Sequence, residues 1–250
     1  MEFSIYEYIF AFLGAFIGGF IDAIIGGGGL ISLPIILGLG VPPQLAIATN
    51  KLQGTMGALS ALFSLRKQIN FKEMYIGVIF TAIFSILGAF AILKIPNDNI
   101  MPIILAILIL VFIYTIFKPN LGSVNQVARM SKVSFLILFG TIIGFYDGFI
   151  GPGTGSFWIL GFIMLLGINI KQASVNTKLL NTTSNICSLI FFISFYEILF
   201  KLGIIMGIGG ILGAFFGAKV LLKINTALIR KAFIIIVFAT ICKLIYTNFF

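Results

Sequence analysis

From Met74 to Leu93 the chain runs without a charged residue, and from Leu179 to Tyr196 it does so again. As helices rising ~1.5 Å per residue, runs of this length span most or all of a ~30 Å hydrocarbon core. They are continuously apolar rather than alternating, which argues against a β-barrel. Only 9% of the residues are charged and 60% are hydrophobic. A soluble domain carries about 25% charged residues, so this chain has too little polar surface to cover a water-facing fold. The expectation is an all-α, multi-spanning membrane protein, multi-pass in the cell (inner or plasma) membrane, with the lipid bilayer as its solvent.

Two stretches break the apolar pattern. The first, Gly19 to Lys51, reads GFIDAIIGGGGLISLPIILGLGVPPQLAIATNK, and the second, Gly144 to Lys178, reads GFYDGFIGPGTGSFWILGFIMLLGINIKQASVNTK. Each places an aspartate (Asp22, Asp147), a glycine-rich break and a lysine (Lys51, Lys178) inside oily sequence. The breaks cannot hold a stable helix. The apolar segments that follow, 30–39 and 156–166, are too short to cross alone and read as half-helices or re-entrant segments. Irregular backbone at membrane depth is tolerated only where it is buried in protein or lines a cavity.

The two stretches belong to a duplication. Asp22 and Asp147 are offset by 125, as are Ile86–Phe90 and Ile211–Phe215, both reading ILGAF; Lys51 and Lys178 are offset by 127. The expected organisation is a first membrane repeat over 1–117, a linker over 118–132 and a second repeat over 133–250. Each repeat holds about four spans plus its broken segment. Eight spans make the repeats parallel; if the short segments cross, each half has five spans and the repeats are inverted. The glycines at 14 and 18, and those at 203, 207, 209, 213 and 217, predict close helix packing. Paired repeats with breaks at matching places point to a transporter, with its site at the breaks.

If helices start near Pro43 and Asn169, Lys51 and Lys178 lie about 12–14 Å in, near the bilayer midplane. A charge there costs several kcal/mol and is a functional candidate. The functional reading is a binding site for a small anion. The alternatives are structural pairing with an aspartate, or snorkelling. Asp22 and Asp147 are the candidate counter-ions, either as fixed partners or as a proton relay. Gly27, Gly28 and Gly29, with Gly153, Thr154 and Gly155, offer backbone N–H groups and helix N-termini, which bind anions. Thr49, Asn50, Asn176 and Thr177 flank the lysines and could coordinate an oxyanion or bond across helices. Trp158, the single tryptophan, reads as a packing or interfacial residue.

Several classes fall away. The chain has no histidine, which removes Ser-His and Cys-His catalysis and imidazole metal sites. No catalytic residue, metal or cofactor is expected. The glycine run lacks the Gly-Lys-Ser/Thr ending of a nucleotide loop. The net charge of +9 sits mostly in loops between apolar spans, where it sets orientation rather than binding nucleic acid. Cys187 and Cys242 read as small core residues. The sequence leaves room for a homo-oligomer.

GFIDAIIGGGGLISLP with ATNKLQGT, and GFYDGFIGPGTGSFW with NTKLLNTTSN, resemble the TauE/SafE family of sulfite exporters, the second run one large branch of it. The resemblance implies a secondary transporter of a small sulfur-containing anion such as sulfite or an organosulfonate. It leaves the substrate, the direction and the coupling ion open. A non-sulfur organic anion or a non-transporting membrane subunit is the alternative.

Overall fold

The computed structural model describes residues 1–117, 127–221 and Phe238. Most of the expected linker, all but Phe238 of residues 231–248, where the sequence places the last span of the second repeat, and Cys242 lie outside the described residues. The described elements are nine α-helices and one short 3₁₀ turn, with no strand among them. The helices are α1 (Ile5–Ile25), α2 (Gly29–Gly38), α3 (Pro43–Leu65), α4 (Phe71–Ile92), α5 (Asn97–Phe117), α6 (Lys132–Phe149), α7 (Thr154–Leu166), α8 (Ile170–Phe195) and α9 (Phe200–Leu221). The fold is the all-α membrane architecture that the apolar runs predict.

Each break has a local cause. Gly26 ends α1 in the left-handed region at φ 73°, its N–H bonded to the Asp22 carbonyl, a conformation that a side chain would strain. Gly151 (φ 94°) and Gly153 (φ 83°) do the same between α6 and α7. Helix α3 starts on Pro43 after Pro42, where a missing N–H is harmless. Helix α8 is capped by Asn169, whose side chain accepts the Gln172 N–H at 3.0 Å. The two segments expected to be half-helices are short helices of 10 and 13 residues, or about 15 and 20 Å.

Four described helices are long and apolar enough to cross a membrane: Ile5–Ile24, Phe71–Ile92, Lys132–Phe149 and Phe200–Leu221. Apolarity alone thus marks fewer spans than the eight expected. Helices α3 and α8 are as long, at 23 and 26 residues, but turn polar groups inward. Thr49, Asn50, Lys51, Gln53 and Thr55 are buried on α3; Ser174, Asn176, Lys178, Asn181, Ser184, Asn185 and Ser188 are buried on α8. The outside is oily: Ile9, Leu13 and Ile17 on α1, Ile79, Ile83 and Phe90 on α4, and Ile204, Ile208 and Phe216 on α9 are exposed. Apolar outside and polar inside is the arrangement lipid demands.

Helix α1 packs along α9 and α4 along α6, while α3 lies against α9 and α8 against α4. The fourth helix of each sequence half therefore packs on the first helix of the other. Glycines make these approaches possible. On α9, Gly209, Gly213 and Gly217 face the carbonyls of Phe12, Phe16 and Phe20, while Gly203 and Gly207 admit Leu52 and Met56 of α3. On α4, Gly88 faces the Phe145 carbonyl. Gly14 and Gly18 pack against α2, on Ile35 and the Gly28 carbonyl. Trp158 is fully buried among Phe135, Phe139 and Phe162, a packing role. Cys187 is half-buried rather than a core residue.

Candidate functional site

Lys51 rises from the middle of α3 and meets the end of α6. Its Nζ lies 2.9 Å from Asp147 Oδ1 and also donates to the Asp147 carbonyl. Lys178, in the middle of α8, does the same to α1: its Nζ lies 3.3 Å from Asp22 Oδ2 and donates to the Asp22 carbonyl. Each lysine of one half therefore holds the aspartate of the other. Each also sits at the C-terminal end of a helix, where exposed carbonyls favour a cation. Both lysines are completely or almost completely buried, and pairing is what lets a buried ammonium persist.

The two pairs differ. Asp147 is 3% exposed and Asp22 is 19% exposed in their side chains. Asp147 has Thr154 Oγ1 at 3.0 Å and accepts from Ser184 Oγ besides its lysine. Among the described residues, Asp22 has the Gly28 N–H at 3.2 Å besides Lys178. The hydroxyl sites are lost in the first half: Gly29 stands where the offset of 125 would match Thr154, and Gly57 where the offset of 127 would match Ser184.

Between the breaks lies a cavity of about 50 Å³, larger than the ~10–15 Å³ one water requires. Its wall includes Asp22, Lys51 and Asp147, the start of α2 at Gly28 and Gly29, and the start of α7 at Gly153, Thr154 and Gly155. Asn50, Gln53, Gly54, Gly57, Asn181 and Asn185 complete the polar side. The two glycine breaks touch. Gly26 lies against Gly155, its carbonyl accepting the Ser156 N–H at 2.7 Å, and Gly29 lies against Pro152. Two helix N-termini thus open on one small space; of their first-turn N–H groups, those of Leu30, Ile31, Thr154 and Ser156 bond to the carbonyls of Gly27, Gly28, Gly151 and Gly26.

The expected site residues fall into two groups. Asp22, Asp147, Lys51, Asn50, Gly28, Gly29, Gly153, Thr154 and Gly155 border the cavity. Lys178 is not in the wall and is linked to it through Asp22. Thr49 accepts the Leu199 N–H at 3.1 Å, and Asn176 accepts from Gln172 at 3.0 Å. Thr177 is buried without a hydrogen-bond partner among the described residues, and Gly27 accepts the Leu30 N–H at 3.1 Å. None of these four borders the cavity. Ser32 and Gln53 went unanticipated. Ser32 donates to Asn50 Oδ1 at 2.8 Å, and Gln53 Nε2 lies 2.8 Å from Ser32 Oγ and 3.0 Å from Asn50 Oδ1. Helical spacing carried a signal for the other amides, since Asn181 and Asn185 lie three and seven residues after Lys178, on its face.

An irregular, charged, glycine-lined cavity among lipid-facing helices defines a membrane transporter. The chain belongs to the family described as Sulfite exporter TauE/SafE, whose model matches residues 11–244. It is 40% identical to a probable membrane transporter protein of Haemophilus influenzae, over 90% of this chain and 89% of that protein. It is 39% identical to the probable membrane transporter protein ORF9 of a Sinorhizobium species, over 94% and 91%. The probable membrane transporter protein YfcA of Escherichia coli is 36% identical over 91% and 85%.

Proposed function

We propose that the chain is a multi-pass secondary transporter of the cell membrane, built from two repeats, that carries a small anion of the sulfite, sulfonate or organosulfur class. It is not an enzyme. The observation that carries this reading is the convergence of two helix N-termini on one cavity beside a buried lysine. N-terminal N–H groups can donate to an oxyanion, and half-helix ends aimed at a midplane site serve anionic groups in transporters. The Asn50, Asn181 and Asn185 amides add donors of fixed direction. The matched family's description supplies the sulfur class.

Flux into proteoliposomes of sulfite, sulfate, thiosulfate and small sulfonates, against empty vesicles, tests the reading. Uptake of one of them that is lost in Lys51→Ala supports it. A folded protein that moves none of them overturns the sulfur assignment, and unchanged flux in the Lys51→Ala/Lys178→Ala double variant overturns the site.

A further inference from the structure

The cavity is electrically balanced before any substrate arrives. Lys51 is matched by Asp147 and Lys178 by Asp22. The positive N-terminal ends of α2 and α7 are offset by the C-terminal ends of α1 and α6, which close on the same place. An anion entering such a site would leave one uncompensated negative charge in a low-dielectric interior, which is strongly unfavourable. A positive charge must enter with it.

We propose, building on the anion reading above, that this charge is a proton taken up by Asp22, while Asp147 remains an ionised structural residue throughout. Four observations separate the two carboxylates. Asp22 is the more exposed, 19% against 3%. Its ion pair is longer, 3.3 Å against 2.9 Å. Among the described residues it has no counterpart of Ser184, whose hydroxyl donates to Asp147, or of Thr154, whose hydroxyl lies 3.0 Å from Asp147 Oδ1 and 2.6 Å from the Gly151 carbonyl. Gly29 and Gly57, the residues in their place, border the cavity with it, so an added hydrogen has space there. At Asp147 a proton would compete with an ammonium and the Ser184 hydroxyl already in position.

The charged groups around Asp22 are few. Lys178 on α8 pairs with it, and Lys51 on α3 and Asp147 on α6 share the cavity wall. Helices α2 and α7 carry no charged residue, and on α9 Lys201 and Lys219 turn to the rings of Tyr8 and Phe215. In the proposed step a water-borne proton forms an O–H bond on an Asp22 carboxylate oxygen. The Lys178 ammonium, freed of its counter-charge, balances the anion. Release of the anion on the far side returns the proton to water there, so one proton travels with each negative charge.

Infrared difference spectra of the protein in lipid vesicles, taken at one pH with and without sulfite, read the protonated-carboxyl band directly, and sulfite flux is measured on the same vesicles. Asp22→Asn is expected to lose a component of that band which Asp147→Asn retains. Should Asp147→Asn fail to fold, Gly57→Ser supplies the second test. A Cβ at Gly57 would meet nothing nearer than the Gly210 carbonyl at 3.4 Å, and its hydroxyl would restore to Asp22 the donor that Ser184 gives Asp147. The component is then expected to weaken. A spectrum unchanged in Asp22→Asn, or a component lost in Asp147→Asn instead, overturns the assignment. Wild-type vesicles that carry no sulfite count against the anion reading; vesicles that carry it but show no component removed by Asp22→Asn count against the Asp22 assignment alone.

Discussion

Lys51 and Asp147 lie 96 positions apart in the chain, yet the lysine Nζ sits 2.9 Å from Asp147 Oδ1 inside the protein. Lys178 and Asp22 repeat the contact at 3.3 Å. Both links run between the halves of the sequence, so the two broken regions are tied to each other rather than each to its own lysine.

Removing one partner of a buried pair leaves the other uncompensated, which costs about 3–5 kcal/mol. Lys51→Ala is expected to lose stability in that range, because Asp147 is sealed from water. Lys178→Ala is expected to lose less, because Asp22 retains some exposure. Unfolding of the two variants in matched detergent gives the order, and a larger loss for Lys178→Ala would contradict it.

Gly151 has φ 94°, and a Cβ there would meet Asp147 Oδ1 at 2.7 Å and Lys51 Nζ at 2.9 Å. Gly151→Ala is therefore strained in its backbone and pushes on the ion pair. Adding the left-handed penalty of about 1–2 kcal/mol to the displaced pair predicts a clear fall in unfolding temperature. Gly40→Ala, also at positive φ but with nothing within 4 Å, is the control and is expected to lose only the backbone part.

Gly54 lines the cavity, and a Cβ there would lie 3.0 Å from Asn185 Oδ1. Gly54→Leu is expected to fill the space and lower substrate flux by about tenfold or more, equivalent to ~1.4 kcal/mol or more on the barrier. Vesicle flux normalised to inserted protein checks it; full flux would remove the cavity from the path.

Gly213 and Gly88 each face a carbonyl of the helix they cross. Gly213→Val must separate α9 from α1, and Gly88→Val must separate α4 from α6, at an expected cost of at least ~1–3 kcal/mol each from overpacking. Protease resistance of the inserted protein measures the loss. By contrast Lys132 and Glu73 form an ion pair at the exposed ends of α6 and α4. Glu73→Gln is expected to change stability by only about 0–1 kcal/mol.

Much of this was legible in the chain. The apolar runs gave helices in lipid, and the glycine and proline positions gave the breaks at Gly26, Pro43 and Gly153 within a residue or two. Lys51, Asp22 and their second copies announced themselves because a charge inside apolar sequence is costly and seldom incidental. Ser32 and Gln53 did not, since a single serine or glutamine on a helix has many ordinary uses. Thr49 and Thr177 looked equivalent to Asn50 from their place beside the lysines. A residue next in sequence on a helix points about 100° away, and only packing tells which direction faces the cavity.

Composition and spacing along the chain are enough to specify the solvent, the helices, the paired breaks and the residue types at the site, because each of these is a local property. Partners are a matter of packing. The ILGAF segments are identical in sequence, yet what they do is seat the fourth helix of one half against the first helix of the other, and that crossing delivers each lysine to the opposite aspartate. Packing also makes the two aspartates differ, since the hydroxyls beside Asp147 come from α7 and α8, and their absence around Asp22 shows only when those helices are in place.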